Sequence, residues 1–165
     1  MRAKLRMAYL RIAYYESLIA YWPARAYHIC TMKEKFFDHT VPFLPVRDLK
    51  ETIAYYRDKL GFSGEWFWED TDAGIERDDM HLLFSRNPSF IDAINAAGGD
   101  RGFELMWFVE NVDDVYAEYK TNGVEIVGEL ADEPWGVREF AFKDVNGYYI
   151  RVAEGTESEE EESGE

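Results

Sequence analysis

An internal repeat with an offset of 63 residues limits the folds that this chain can adopt. The segment VRDLKETIAYYRDKLGF, which starts at Val46, is matched by VENVDDVYAEYKTNGVEIV, which starts at Val109. In each segment an N-capping residue precedes apolar residues spaced along one helix face, and a glycine follows near the end. Both segments therefore predict the same capped helix. The matched pairs are Asp48 and Asn111 (the N-caps), Leu49 and Val112, Ala54 and Ala117, Tyr56 and Tyr119, Arg57 and Lys120, with Gly61 and Gly123 near the helix ends.

Short apolar runs surround each predicted helix, one before it and three after it. Runs of this length, bounded by turn residues, are typical of strands. Asp78–Asp79 and Asn146–Gly147 supply the turns before the last strand of each half, and Asn-Gly is the stronger hairpin signal. The chain is thus predicted to be an α+β protein with two βαβββ units. The predicted strands are Val41–Val46, Ser63–Glu69, Ala73–Arg77 and Met80–Ser85, then Phe103–Val109, Val124–Glu129, Val137–Lys143 and Tyr148–Ala153, with a one-turn helix, Phe90–Ala97, between the halves.

Charge is unevenly distributed and divides the chain into three parts. The 165 residues carry a net charge of −15. Residues 1–31 carry +4 and are read as an N-terminal extension outside the fold, whereas residues 156–165 contain six glutamates and predict a disordered acidic tail. The domain, residues 32–155, holds the remaining −13, with modules at about 40–88 and 102–155. This acidity argues against nucleic acid and anionic membranes as partners and leaves cationic ligands open.

The first 31 residues do not fit a secretory signal, because Arg11 and Glu16 interrupt the apolar run. An Arg-rich leader could be an organelle transit peptide, but Ser17 is its single serine. The alternative is that Met32 is the natural start. Cys30 is the single cysteine, so no intrachain disulfide is possible, and no apolar run is long enough to cross a membrane. We expect a cytoplasmic protein.

Three stretches of the chain resemble one family. They are VPFLPVRDLKETIAYYRDKLGF, GIERDDMHLLFS and, most specifically, EPWGVREFAFKDVNGYYIRVAE. Together they resemble the vicinal oxygen chelate superfamily, which includes glyoxalase I, extradiol dioxygenases and bleomycin resistance proteins, and they look most like the bleomycin resistance proteins. The resemblance covers about Thr40–Glu154. It implies two tandem βαβββ modules that form a curved mixed sheet.

Enzymes of this superfamily hold a divalent metal with four ligands, one from the first and one from the last strand of each module. The resemblance places these positions at Val41, Leu83, Glu104 and Arg151. Only Glu104 can ligate a metal, and Arg151 brings a permanent positive charge. We therefore expect no metal and no other cofactor, and an ion pair between Glu104 and Arg151 in place of the metal.

A second possible metal site involves His39 and His81. Each lies two residues before a position named above, so both imidazoles could face the cavity. The second half supplies no matching ligand, and ordinary histidines near strand ends are the favoured interpretation. No catalytic triad and no phosphate-binding glycine loop is evident, so no catalytic residue is predicted.

Aromatic side chains are the candidates for ligand binding. Trp66 and Trp68 share one face of their strand and Phe67 takes the other, and we expect Phe67 and either Trp107 or Phe108 to be ordinary packing. Trp135 differs because it lies in a Pro-Trp-Gly loop. The resemblance implies that Trp135 stacks on a flat heterocycle and that Ser85 lines the groove. The predicted ligand-binding residues are Trp135, Trp66, Trp68, Ser85, Trp107, Glu104, Arg151 and Gly136.

The predicted function follows from the resemblance together with the acidity of the domain. Bleomycin resistance proteins are homodimers that sequester a cationic drug, unaltered, in grooves at the subunit interface. We expect this protein to bind a flat, cationic, bleomycin-like small molecule in the same manner. A glyoxalase-like or dioxygenase-like lyase or isomerase is the alternative, and a regulatory or protein-interaction role with a vestigial groove is a third.

Overall fold

The computed structural model describes residues 39–97 and 103–155 of the chain. All the elements below belong to the unit Thr40–Glu165. The predicted extension 1–31 and tail 156–165 lie outside the described residues, so these domain boundaries stay predictions. The elements in chain order are β1 (Phe43–Val46), α1 (Leu49–Leu60), β2 (Ser63–Trp68), β3 (Asp72–Arg77), β4 (Met80–Arg86), α2 (Pro88–Ala96), β5 (Glu104–Phe108), α3 (Val112–Thr121), β6 (Ile126–Glu133), β7 (Val137–Lys143) and β8 (Tyr149–Gly155).

The strands form two mixed sheets of four strands each, with orders β1-β4-β3-β2 and β5-β8-β7-β6. In both sheets the first strand pairs in parallel with the last, and the other pairs are antiparallel. The same order and pairing in both halves confirm the predicted α+β fold of two βαβββ modules.

The helix caps are where the repeat predicts them. Asp48 accepts a hydrogen bond of 2.9 Å from the backbone nitrogen of Glu51, and Asn111 accepts one of 3.1 Å from that of Asp114. Gly61 ends α1 in the left-handed conformation, with φ of 72°, which a side chain would disfavour. None of the described helices combines the length and the apolar character needed to cross a lipid bilayer.

Most strand boundaries differ from the prediction by one to four residues, and α2 has nine residues rather than the single turn predicted over Phe90–Ala97. Two of the strand differences bear on the predicted site. β1 begins at Phe43 rather than Val41, and Phe43 is the residue opposite Leu83 in β4. β6 continues to Glu133 rather than ending at Glu129, because bulges between positions 126 and 131 let the strand keep pairing with β7. The extension of β6 brings this strand up to the Pro-Trp-Gly loop.

The helix-covered faces of both sheets contribute to one hydrophobic core. Trp107 of β5 packs against the rings of Tyr56 and Phe62 from the first module, at centroid distances of 6.4 and 5.9 Å. It also contacts Phe142 of β7. Each sheet therefore turns one face toward the shared core, and its alternate residues point away from it. We call the outward-pointing surface of each sheet its open face.

The loop between β7 and β8 links the two modules through a buried carboxylate. Asp144 accepts hydrogen bonds from the backbone nitrogens of Asn146 and Tyr148, both at 2.9 Å, and from the hydroxyl of Tyr56 on α1 at 3.2 Å. Asn146 is also buried, and its side chain accepts from the backbone nitrogen of Arg47 and donates to Thr52. Asn146–Gly147 is thus part of a five-residue connection rather than a two-residue hairpin turn.

Candidate functional site

The Pro-Trp-Gly loop is a tight hairpin whose geometry follows from its sequence. Glu133 and Val137 are a paired position of β6 and β7, so three residues close the loop. The nitrogen of Gly136 donates to the carbonyl of Glu133 at 3.0 Å, and Gly136 has φ of 80°. Proline suits the second position of such a turn, and glycine tolerates the left-handed conformation that follows it. Trp135 is held between them with 59% of its surface exposed.

Trp135 lies beside a cavity of about 430 Å³ on the open face of the second sheet. The wall combines the aromatic residues Trp135, Phe140 and Tyr149 with carboxylates and one guanidinium. Concave sites that combine apolar surface with a few polar or charged groups are typical of small-molecule binding. The lining residues are Met106, Gly128, Glu129, Glu133, Trp135, Glu139, Phe140, Ala141, Tyr149 and Arg151.

Arg151 lines this cavity and is held by two carboxylates. Its Nε and Nη2 atoms donate to Oε1 of Glu139 at 2.9 and 2.7 Å, and Nη1 lies 3.2 Å from Oε1 of Glu104. The ion pair predicted between Glu104 and Arg151 is present, and Glu139 is a stronger partner that the sequence reading missed. Hydrogen bonding to Glu139 raises the pKa of Arg151 above its ordinary value. The guanidinium lies 5.6 Å from the ring centroid of Trp135, a cation–π distance that orients the indole.

The open face of the first sheet holds the other predicted binding residues. The strand pairing puts Trp66 beside Gly74 and Trp68 beside Asp72, and Asp72 in turn pairs with Ser85. A Cβ added to Gly74 would lie 2.5 Å from the indole of Trp66. The ring of Trp66 therefore lies directly against the sheet, in the space that the missing side chain leaves.

The predicted site residues thus form two groups within one chain. Trp135, Gly136, Glu104 and Arg151 belong to the second module, and Trp66, Trp68 and Ser85 belong to the first. Because both open faces point away from the shared core, the chain does not bring the two groups together. The cavity beside Trp135 is lined by the second module alone.

Two aromatic residues differ in burial from what the sequence predicts. Trp107, predicted to bind ligand, is only 7% exposed and belongs to the core, because it faces the same side of β5 as Leu105. Phe108 is the exposed member of that pair, at 64%. Phe67, predicted to be core, is 45% exposed, since α1 packs mainly on β3 and β4 and leaves the edge strand β2 less covered. Phe67 lines a separate cavity of about 290 Å³.

The donor groups on both open faces do not fit the divalent metal that the family resemblance implies. Phe43 and Leu83 oppose each other in the first sheet and carry no donor atom. In the second sheet Glu104 and Glu139 are both paired with Arg151. His81 lies 3.2 Å from Glu76, and His39 lies outside β1. Among residues 39–97 and 103–155, no group of three or more His, Cys, Asp or Glu side chains is arranged to hold a metal ion.

Comparison with known sequences places the chain in a family. The sequence model of the Glyoxalase/Bleomycin resistance protein/Dioxygenase superfamily matches residues 36–152. No curated protein sequence matches the chain significantly.

Solved structures include three similar bleomycin-related proteins. A bleomycin-binding protein complexed with bleomycin is 25% identical with a TM-score of 0.58, and the match covers 72% of this chain and 99% of that one. The bleomycin-binding protein from bleomycin-producing Streptomyces verticillus, complexed with copper(II)-bleomycin, is 25% identical with a TM-score of 0.56, covering 76% and 100%. A bleomycin resistance determinant encoded on the transposon Tn5 is 23% identical with a TM-score of 0.59, covering 72% and 98%. The chain therefore belongs to the glyoxalase/bleomycin resistance protein/dioxygenase superfamily.

Proposed function

We propose that this protein is a homodimeric binding protein that sequesters a flat, cationic small molecule of the bleomycin type without altering it. The observation that carries the proposal is the position of Trp135, exposed on a tight hairpin at an acidic cavity. An indole offers a flat surface on which a heterocycle stacks, with about 0.5–1.5 kcal/mol beyond the area buried. The bleomycin-bound structures among the similar proteins support the choice of ligand.

The charge around the cavity supports a cationic ligand. Four carboxylates, from Glu104, Glu129, Glu133 and Glu139, lie in or beside the cavity, and Arg151 is the guanidinium among its lining residues. The domain as a whole is acidic, with 26 acidic and 13 basic residues between positions 32 and 155. A surface of this sign attracts cations and repels anions.

The open faces support a dimer in which each groove draws on both subunits. Large apolar side chains are exposed on both faces, Phe43 and Trp68 on the first and Met106 and Phe108 on the second. Exposed apolar side chains of this kind are typical of association surfaces. The first sheet of one subunit would cover the second sheet of its partner, so that Trp66 and Trp68 would face Trp135 across a closed groove.

Titration with copper-free bleomycin tests the proposal. We expect saturable quenching of tryptophan fluorescence with one ligand bound per chain, and sedimentation at the mass of a dimer. Absence of a saturable change up to high micromolar ligand would contradict bleomycin binding. A monomer at the same protein concentration would contradict the shared groove.

Replacing Gly74 by alanine should weaken binding through Trp66. The new Cβ would overlap the indole, so Trp66 must leave its position on the sheet, and overpacking of this kind costs about 1–3 kcal/mol of stability. We expect at least a fivefold loss of bleomycin affinity, measured by calorimetry on protein shown to be folded by circular dichroism. Gly155→Ala is the matched control, because nothing lies within 4 Å of its added Cβ. Equal bleomycin affinities for the two variants would show that Trp66 does not contribute to the groove.

A further inference from the structure

The carboxylates around the Trp135 cavity differ in whether they already have a cationic partner. Glu139 and Glu104 are paired with Arg151. Glu129 accepts a hydrogen bond from Tyr116 and lies 3.5 Å from Lys120, and these two groups lower its pKa. Each of these three carboxylates therefore has a cationic partner within the protein, although Glu104 and Glu139 share the single charge of Arg151.

Glu133 is the exception. Its side chain lines the cavity and is partly buried, yet it makes no hydrogen bond or ion pair with any residue in the described part of the chain. The nearest candidate along the hairpin, Arg138, is paired with Asp113 and Asp132. A partly desolvated carboxylate without a partner is costly, and a cation brought by a ligand would offset that cost.

The hairpin fixes Glu133 relative to Trp135. Glu133 begins the turn and Trp135 is its third residue, and the hydrogen bond from Gly136 to the carbonyl of Glu133 closes it. Pro134 restricts the backbone between the two side chains. Both side chains line the same cavity, so the hairpin backbone holds the carboxylate and the indole at one site.

From this arrangement we infer that Glu133 receives the cationic group of the ligand whose flat ring stacks on Trp135. The inference rests on the proposed function and narrows it. The preferred ligand carries its positive charge on the stacked ring system or close beside it, because the carboxylate and the indole belong to one turn. A charge at the end of a long flexible tail would reach Glu133 only by ordering the tail, which costs conformational entropy and weakens the preference.

Two flat probes that differ in charge test this inference. Thioflavin T is a benzothiazolium cation, and 2-(4-dimethylaminophenyl)-6-methylbenzothiazole has nearly the same shape without the charge. We expect the wild-type protein to bind the cation at least tenfold more tightly, which corresponds to about 1.4 kcal/mol, because the carboxylate of Glu133 attracts the positive ring by charge alone. Glu133→Gln should reduce affinity for the cation at least tenfold and leave affinity for the neutral probe unchanged.

Asp132→Asn is the matched control, because it removes one negative charge at the residue before Glu133. The carboxylate of Asp132 is exposed and already paired with Arg138. The Asp132→Asn variant should keep the preference for the cation. If Glu133→Gln also keeps that preference, the role of Glu133 is refuted while the proposed function stands. If the wild-type protein binds neither probe, the proposed binding of flat cations fails together with the inference.

Discussion

Replacing Trp135 by alanine is expected to reduce the affinity for copper-free bleomycin about 30-fold or more. The indole contributes stacking energy and buried area, and aromatic residues at the centre of a binding site commonly contribute at least 2 kcal/mol. Because 1.4 kcal/mol corresponds to a tenfold change in affinity, such a loss is measurable by isothermal titration calorimetry. Calorimetry is preferred over fluorescence since the substitution also removes a reporter.

The loss of affinity should occur without unfolding. Trp135 is exposed in the free chain, and truncation of an exposed side chain usually changes stability by less than about 0.5 kcal/mol. Arg151 keeps both of its carboxylate partners in the variant, so the floor of the cavity is retained.

Phe67→Ala is the control for removing an exposed aromatic ring. Phe67 lies on the other face of its strand from Trp66 and Trp68 and beside the separate cavity. The Phe67→Ala variant should bind bleomycin as the wild type does. If Phe67→Ala loses affinity and Trp135→Ala keeps it, the ligand binds at the smaller cavity and our assignment of the site is refuted.

Replacing Asp144 by alanine is expected to lower the free energy of unfolding by about 3 kcal/mol or more. The substitution removes the acceptor for two backbone nitrogens, of Asn146 and Tyr148, and for the hydroxyl of Tyr56. Each buried donor left without a partner costs about 1–3 kcal/mol. Urea denaturation followed by circular dichroism measures the change. Asp132→Ala is the control, because it removes a carboxylate from an exposed ion pair with Arg138. It should change the free energy of unfolding by less than about 1 kcal/mol.

The pH dependence of stability should identify the same carboxylate. Burial raises the pKa of Asp144 in the folded protein above its value in the unfolded chain, which is about 4. Between these two values the folded state binds more protons than the unfolded state, so the contribution of Asp144 to stability falls as pH rises through this window. Asp144→Asn lacks this titration. The stability of the wild type relative to Asp144→Asn should therefore decrease from pH 4 upward and then level off. A relative stability that rises with pH would show that the hydrogen bonds to the carboxylate outweigh its burial.

The helices and the succession of strands and helices along the chain could be predicted because their signals are local. Asp48 and Asn111 cap helices through bonds to residues three positions ahead, and Gly61 ends a helix through its own backbone conformation. The boundaries of β1 and β6 were less accurate. Where a strand ends depends on pairing with a neighbouring strand, and the bulges that lengthen β6 leave no clear mark in its sequence.

The candidate site was partly predictable for a related reason. Trp135 and Gly136 were found because Pro-Trp-Gly encodes its own turn, and the pairing of Glu104 with Arg151 followed from the metal-ligand positions that the family resemblance implies. Glu139 was missed, although it is a charged residue among apolar ones in the strand VREFAFK, and that pattern was available. Gly74 was missed because its role depends on a ring from the neighbouring strand.

Alternation along a strand separates residues into two faces, but it does not tell which face is buried. Trp107 and Phe108 are adjacent and both aromatic, and only packing against Tyr56 and Phe62 decides that Trp107 is the core residue. The sequence by itself determined two βαβββ modules, their capped helices and the Pro-Trp-Gly loop that holds Trp135, since these depend on interactions between near neighbours. The tertiary structure decided that the modules join through their helix-covered faces, which separates Trp66 and Trp68 from Trp135. Contacts between residues far apart in the chain set that arrangement, and no local pattern encodes them.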